Sequence, residues 1–320
     1  MVEIRSLEKK MKISIVYPTY RLGGFDLLVD CLKRQTHRNF ELIVVDDYPG
    51  RDLRKYIADQ GISLSYYGPS KEKQYKDTPY SFANAFNTGG MKANGDILLC
   101  FLDYQWIPAD YLEKINSVFE SRMDLFVSGV AIEVSYFGKF ERGMESVFSP
   151  PFEGWKAFTE PEVGRFLITT GIATKYPPFY IAGIDVLERE GKNIIEGGFD
   201  PLAAKFEEYE IPLDLFMGAM PMKLFREING FDERCDYNHT FMLRVLAWQV
   251  LQNGYKFMVD RNNWCYSINH RTWKMFNEQI GDNPNMWHIF FRDQDSKYNI
   301  KDINWTKRSP NNFNLTDGFT

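Results

Sequence analysis

The stretch FELIVVDD, residues 40–47, decides the fold expected for this chain. Its apolar run predicts a buried β-strand, and the run ends abruptly on two acids, Asp46 and Asp47. Two adjacent carboxylates repel each other and lose hydration when they are buried. They therefore suit either a solvated turn or a site that binds a hydrogen-bond donor.

The same pattern is repeated on both sides of this stretch. MKISIVYPTY, residues 11–20, predicts a first strand that stops at Pro18, and ILLCFLD, residues 97–103, predicts a later strand. Segments with helical spacing lie between the strands over residues 12–121, which predicts an α/β fold with a mostly parallel sheet covered by helices. Ligands of such sheets bind beyond the carboxyl ends of the strands. The residues at these ends are Pro18, Thr19, Tyr20, Asp46, Asp47 and Asp103.

The second half of the chain is less regular. Residues 136–213 are rich in Pro, Gly and aromatic residues, and we interpret them as an insertion that shapes a pocket. HTFMLRVLAWQVLQNGYKF, residues 239–257, predicts a helix that ends at Gly254, followed by a short strand. The tail from residue 276 is polar and rich in Asn, and no element is predicted there.

Composition narrows the class of protein. The chain is 44% hydrophobic and 25% charged, as expected of a globular protein, and its net charge of −5 argues against a nucleic-acid partner. The four cysteines are scattered, which indicates reduced thiols. The start MVEIRSLEKKMK lacks the apolar core of a signal peptide, and no run approaches the roughly 18 apolar residues of a membrane span. We expect a cytoplasmic protein without a membrane span.

Two common nucleotide sites are unsupported. The first strand–helix turn, PTYRLGGFD, lacks the G-x-G-x-x-G fingerprint of dinucleotide-binding folds. The chain also lacks the G-x-x-x-x-G-K-[ST] pattern of a P-loop. A strand-tip acid could instead accept a hydrogen bond from a base N–H or a ribose hydroxyl.

Four segments form a pattern by their order and spacing along the chain: SIVYPTY, LKRQTHRNFELIVVDD, ANAFNTGGMKANGDILLCFLD and GAMPMKLFREINGFDE. In these blocks the chain resembles the family 2 glycosyltransferases of the GT-A fold, over residues 12–121 and 214–270. The resemblance implies a Rossmann-like sheet with an irregular acceptor-side insertion. It divides the chain into a nucleotide-sugar half (1–130), an acceptor half (131–275) and a C-terminal extension (276–320).

The resemblance also implies a reaction, the transfer of a sugar from a nucleotide diphosphate donor to a hydroxyl of a glycan or other acceptor, with inversion expected. UDP is the expected nucleotide. Asp47 would contact the base, and Asp46 would support it or approach the ribose. The other residues that the family pattern places along the nucleotide are Pro18, Thr19, Tyr20, Asn84, Asn87 and Gly90.

A divalent metal is the next implication. Asp103 falls at the family's Asp-x-Asp motif, where Mn²⁺ or Mg²⁺ would stabilise the charge that builds on the leaving diphosphate. The third motif position is Gln105, whose amide oxygen can ligate but carries no charge. An alignment counted back from Pro108 instead makes Asp103 the last acid and Phe101 the first position. One carboxylate is missing either way. His270, after the last strand, could complete the shell or make an ordinary hydrogen bond.

The catalytic base is the second departure from the family pattern. An inverting transferase needs a carboxylate to take the proton of the acceptor hydroxyl. Counted back from Arg244, the family's Glu-Asp pair falls on Tyr237–Asn238, and neither residue is a base. Asp236, one residue away, is the candidate base, and a helix cap or turn acid is its structural alternative. His239 is a weaker candidate for a metal ligand, and Trp106 is predicted to lie in the pocket.

Two other functions remain open on the sequence alone. The missing metal acid and the missing Glu-Asp pair favour a GT-A domain that binds nucleotide or glycan without transfer. The glycines and the arginine of YRLGG, residues 20–24, are a weak signal for a nucleotidyltransferase.

Overall fold

The computed structural model describes residues 10–20, 25–73, 81–102, 105–135, 194–196, 217–237, 239–269 and 306–316. Asp103, His270 and most of the predicted insertion lie outside the described residues. The described strands are β1 (Ile13–Thr19), β2 (Phe40–Asp46), β3 (Leu64–Gly68), β4 (Ile97–Cys100), β5 (Gln105–Trp106), β6 (Leu125–Ser135), β7 (Ile194–Glu196), β8 (Ala219–Pro221) and β9 (Lys256–Asn269). The described helices are α1 (Phe25–Arg34), α2 (Arg54–Asp59), α3 (Phe82–Lys92), α4 (Tyr111–Ser121), α5 (Met222–Glu227), α6 (His239–Gln252) and a 3-10 helix (Glu233–Tyr237).

These strands form one sheet in the order β3-β2-β1-β4-β8-β6-β9-β5, and β7 also pairs with β9. The strands β3, β2, β1 and β4 are mutually parallel, and β6 and β9 form a long parallel pair. β8 lies antiparallel between β4 and β6, while β5 and β7 are antiparallel to β9. The predicted α/β fold with a mostly parallel sheet is confirmed. Because β4 pairs with β8, the two predicted halves of the chain share this sheet.

Each strand of the parallel half contributes side chains to two hydrophobic cores, one on each face of the sheet, because successive side chains point to opposite faces. In β1, Ile13 and Ile15 pack under α1 and α4 on one face, whereas Val16 packs with α3, α5 and α6 on the other. All three side chains are fully buried. A strand covered on both faces reads as a continuous apolar run, which is why FELIVVDD shows no alternation.

Pro18 does not end its strand as predicted. β1 continues to Thr19, and Pro18 pairs with Val45 of β2. The register with β4 stops at Val16–Cys100, two residues earlier. Beyond that point the described strands give β1 a neighbour on one side only, so the missing N–H of proline leaves no bond to β4 unmade.

Gln35, in the block that most resembles the family, has a structural role. Its side-chain Nε2 donates to the carbonyls of Cys31 (3.0 Å) and Pro108 (2.8 Å), and its Oε1 accepts the backbone N–H of Leu112 (3.0 Å). The buried amide thereby joins the end of α1 to the start of α4. It fixes the helices on the face of the sheet opposite α3.

In the described part of the chain, no helix combines the length and the apolar character that a membrane crossing requires.

Candidate active site

The carboxyl ends of β1 and β2 lie side by side at one edge of the sheet. Thr19 pairs with Asp46, and the backbone N–H of Asp47 donates to the carbonyl of Thr19 (2.8 Å). The side chains of Pro18 and Thr19 are buried, while Tyr20 is half-buried. The residues predicted to line a nucleoside therefore lie at the edge where ligands of such sheets bind, and their contact with a ligand stays a prediction.

Asp46 is buried and its carboxylate is fully engaged. Arg51 donates to it twice, from Nε (2.7 Å) and Nη2 (2.6 Å). The Tyr67 hydroxyl (2.5 Å) and the Tyr48 backbone N–H (2.9 Å) complete its bonds. Burial and the adjacent carboxylate raise the pKa of Tyr67, which keeps this hydroxyl a donor. Asp46 thus holds the loop after β2, and its part in binding a nucleotide stays a prediction.

Asp47 differs from its neighbour because it is exposed. Its carboxylate accepts the backbone N–H of Ser70 (2.8 Å) and the Ser70 hydroxyl, so the side chain is oriented by the segment after β3. An ionised carboxylate has about four lone-pair positions. Asp47 therefore retains acceptor capacity on an exposed surface and can receive a further donor.

The small residues of α3 allow a close approach to its neighbours. A Cβ added to Gly90 would lie 2.3 Å from the ring of Phe225, and one added to Gly89 would lie 2.3 Å from Val16. Both distances are too short for a real contact, so glycine is required for packing. The structure thus gives Gly90 a packing role, and its contact with a nucleotide stays a prediction.

The side chain of Asn87 is bonded within the protein. Its Nδ2 donates to the Phe231 carbonyl (2.9 Å) and to Glu233 Oε1 (2.9 Å), and its Oδ1 accepts the Phe231 N–H (2.8 Å). Both donors of the amide are used inside the protein, which leaves none for a phosphate.

Asn84, one turn earlier, donates to the Glu72 carbonyl (3.2 Å), and its buried Oδ1 has no hydrogen-bond partner among the described residues.

Asp236, the candidate base, lies at the N-terminus of α3. Its two oxygens accept the backbone N–H groups of Ala83 (2.6 Å) and Asn84 (3.2 Å), so it caps a helix distant in sequence. Burial raises the pKa of its carboxyl to about 8, against the lowering effect of these two bonds. A cap was its structural alternative, although for a different helix. Its role as a base stays a prediction.

Glu233, which the sequence-based prediction did not include, is the second carboxylate of this cluster. It is fully buried, and its Oε1 lies 2.6 Å from the Lys71 ammonium as well as against Asn87. Its Oε2 has no hydrogen-bond partner in the part of the chain that the structure describes. The Glu233 charge also raises the pKa of Asp236. The block GAMPMKLFREINGFDE ends on Glu233, so the residue is visible in the sequence, but its burial beside Asp236 depends on the fold.

Gln105, a predicted metal ligand, is buried and oriented by the backbone. Its Oε1 accepts the backbone N–H of Leu102 (3.2 Å), and its Nε2 is buried without a partner in the described ranges. Reversing the amide would set its NH₂ against the Leu102 N–H, donor against donor, so the backbone dictates this orientation. The buried group without a described partner is therefore a donor, and the oxygen that could ligate a cation already accepts one backbone hydrogen bond.

The structure does not describe the side chains of the other predicted metal ligands. Asp103 and His270 lie outside the described residues, as does the side chain of His239, which begins α6. Within the described ranges, no three His, Cys, Asp or Glu side chains form a metal-binding group.

Trp106 is a core residue and not a pocket residue. Its side chain is 1% exposed, and the Arg34 guanidinium lies over its ring at 5.1 Å from the centroid. It belongs to the hydrophobic core that also contains Leu27 and Leu28 of α1, the helix that contacts β5. The prediction that it lies in the pocket was wrong for this reason.

Sequence comparison identifies the relatives of this chain. Residues 14–179, just over half of the chain, match the family model described as glycosyl transferase family 2. Over 96 residues the chain is 34% identical to the amylovoran biosynthesis glycosyltransferase AmsB of Erwinia amylovora. That match covers 30% of this chain and 31% of AmsB, so the relative is matched over less than a third of its length.

Similar solved structures are more distant. The mannosyltransferase PcManGT from Pyrobaculum calidifontis, in complex with GDP-Man and Mn²⁺, is 16% identical with a TM-score of 0.47, covering 85% of this chain and 61% of that one. TarS 1-349 of S. aureus is 14% identical with a TM-score of 0.48, covering 81% and 60%. The sheet order and the family match define the fold of this chain.

Proposed function

Because the chain belongs to glycosyl transferase family 2, we propose that this glycosyltransferase takes its sugar from a nucleotide diphosphate donor, with UDP as the nucleotide, and passes it with inversion to a hydroxyl of a glycan or other acceptor. The match to glycosyl transferase family 2 favours sugar transfer over nucleotidyl transfer, so we do not propose a nucleotidyltransferase. A cytoplasmic location is proposed on composition alone.

The observation that supports this proposal most is that Asp46 is buried and paired, whereas Asp47 is exposed. Arg51 neutralises the buried Asp46, which leaves the exposed Asp47 as an oriented acceptor at the carboxyl end of β2. A carboxylate in this position can accept the N3–H of uracil. Hydrogen bonds to charged groups contribute about 1.5–3 kcal/mol, which is enough to select a base.

In the proposed reaction, the acceptor hydroxyl loses a proton as it attacks the donor sugar. Asp236 is the proposed base, and its pKa of about 8 lies near the neutral range in which proton transfer by a carboxylate is most effective. A Mn²⁺ or Mg²⁺ ion, if bound, would stabilise the leaving diphosphate. Asp103 and His270 are the residues proposed to hold it, and Gln105 is the weaker candidate because its Oε1 already accepts the Leu102 N–H.

The second candidate is a domain that binds nucleotide without transfer. Two observations favour it, namely the Gln105 oxygen bonded to the backbone and the two oxygens of Asp236 bonded to α3. Both remove groups that an active transferase would use.

A panel of UDP-, GDP- and dTDP-sugars, with and without Mn²⁺, separates the candidates. The assay measures nucleotide release, with water as acceptor. Release of UDP from at least one UDP-sugar supports the transferase. Binding of UDP without release from any donor supports the binding domain, and binding of none of the nucleotides rules out both.

A further inference from the structure

The C-terminal segment 306–316, called here the strap, lies against the turn 228–233 that leads to Glu233. The Ser309 N–H donates to the Ile228 carbonyl (2.7 Å), and the Asn229 amide donates to the carbonyls of Ser309 (3.0 Å) and Phe313 (2.9 Å). The strap lies outside the residues matched by the family model. Its contacts are therefore a feature of this chain that the family match does not explain.

Asn311 of the strap bonds to the turn with every group of its side chain. Its Nδ2 donates to the carbonyls of Asn229 (2.8 Å) and Phe231 (2.9 Å), and its Oδ1 accepts the N–H of Glu233 (3.1 Å). One side chain thus sets the distance between the two ends of the turn. Asn229, at one end of the turn, has a positive φ of 60°, a conformation that asparagine adopts more readily than most residues.

The position of this turn determines where the buried acids lie. Phe231 bonds through both backbone groups to Asn87, and Glu233 bonds to Asn87 and Lys71. Asp236 follows one 3-10 turn later and caps α3. A shift of the turn therefore moves both carboxylates relative to α3.

The strap also contacts the part of the candidate site next to Asp47, where the nucleotide is proposed to bind. The ring of Phe313 lies 4.8 Å from the Lys71 ammonium, which pairs with Glu233. Lys71 follows Ser70, the residue that orients Asp47. The strap is thus in contact with both sides of the candidate site, through Phe313 on one side and Asn311 on the other.

We propose that Asn311 is a positioning residue for glycosyl transfer, because it holds the turn that places Glu233 and Asp236 against α3. This inference rests on the proposed function and adds to it a residue far from the family motifs. It distinguishes Asn311 from Asn314, whose Oδ1, among the described residues, bonds within the strap to Arg308 and to the N–H and hydroxyl of Thr316. Asn314 is therefore a matched control three residues away.

The test compares Asn311→Ala, Asn311→Asp and Asn314→Ala with the wild-type enzyme. The carboxylate introduced by Asn311→Asp would retain an acceptor for the Glu233 N–H but could not donate to the two carbonyls, so this second variant isolates the donated bonds. The measurements are UDP release from the donor that the wild type hydrolyses fastest, the UDP affinity by calorimetry, and the folded fraction by thermal melting.

Both Asn311 variants should lose about tenfold or more in kcat per folded molecule, as expected when a reacting group is slightly misplaced. The KM for the donor and the UDP affinity should stay within about twofold of wild type, because the contacts of Asp47 are untouched. Asn314→Ala should match the wild type. A kcat that falls only in proportion to the folded fraction overturns the inference, as does a normal kcat in Asn311→Asp. Absence of wild-type turnover with every donor contradicts the proposed function itself, and the inference with it.

Discussion

Arg51 holds the carboxylate of Asp46 with two hydrogen bonds, of 2.7 and 2.6 Å, at the point where β2 ends. The side chains are 10% and 1% exposed, so the pair is shielded from solvent. This pairing assigns a structural role to the first acid of the strand end and leaves the second acid, Asp47, for a ligand.

The first prediction concerns the stability that this pair supplies. Asp46→Asn should lower the free energy of unfolding by about 3 kcal/mol, because it leaves the Arg51 guanidinium buried without its counter-charge. Urea unfolding measures the effect, and Asp52→Asn, an exposed acid paired with Arg54, serves as the control with little change. If Asp46→Asn unfolds like the wild type, the pair does not hold the loop.

The second prediction concerns pH. The pKa of Asp236 is raised to about 8 by burial, against about 3.9 for an unfolded aspartate. The folded state therefore binds more protons than the unfolded state between about pH 4 and pH 8, and stability from this group falls as the pH rises through that window. Asp236→Asn removes the titrating group and should flatten the fall in melting temperature. Equal slopes in the two proteins would show that the carboxyl is not perturbed.

The third prediction uses the same residue to test the base. The amide introduced by Asp236→Asn would retain an acceptor for the Ala83 N–H but would lose the bond from the Asn84 N–H, so unchanged UDP affinity is the control that α3 stays in place. Its kcat should fall by about 10²–10⁴, the usual contribution of a general base. If kcat is unchanged in Asp236→Asn but stability falls by about 1 kcal/mol in Asp236→Ala, Asp236 is only the cap of α3.

The fourth prediction concerns Gly230, which has a positive φ and lies against Asn87 of the candidate site. Its φ is +74°, and an added Cβ would lie 2.4 Å from Asn87 Oδ1. Gly254 has a φ of +81° with open space around it, so it isolates the backbone effect. Gly254→Ala should reduce stability by about 1 kcal/mol, and Gly230→Ala by a further ~1–3 kcal/mol because Asn87 must move. Equal losses in the two variants would refute the contact with Asn87.

The sequence predicted the parallel half of the fold well because each strand there is a continuous apolar run covered by helices. It could not place β8 between β4 and β6, because this pairing joins segments distant from one another in the chain. The extension of β1 through Pro18 was also missed, since it depends on where the neighbouring strand stops.

The candidate site was predicted less completely for a related reason. The position of Asp47 followed from a local pattern, the end of an apolar run. The roles of Asn87, Glu233 and Trp106 depend on partners distant in the chain, as in the bond between Asn87 and Glu233. An inward orientation such as that of Gln105 is set by a backbone N–H, which residue types alone do not reveal.

The most direct measurement is the calorimetric affinity for UDP of the wild type, Asp47→Asn and Asp52→Asn. Asp47 is the exposed, oriented acceptor proposed to recognise the base, whereas Asp52 lies in the same loop and is paired with Arg54. Asp47→Asn should weaken UDP binding by about tenfold or more, in keeping with the loss of a hydrogen bond to a charged group, and Asp52→Asn should bind as the wild type does. Equal UDP affinity in all three proteins would contradict a nucleotide site at Asp47.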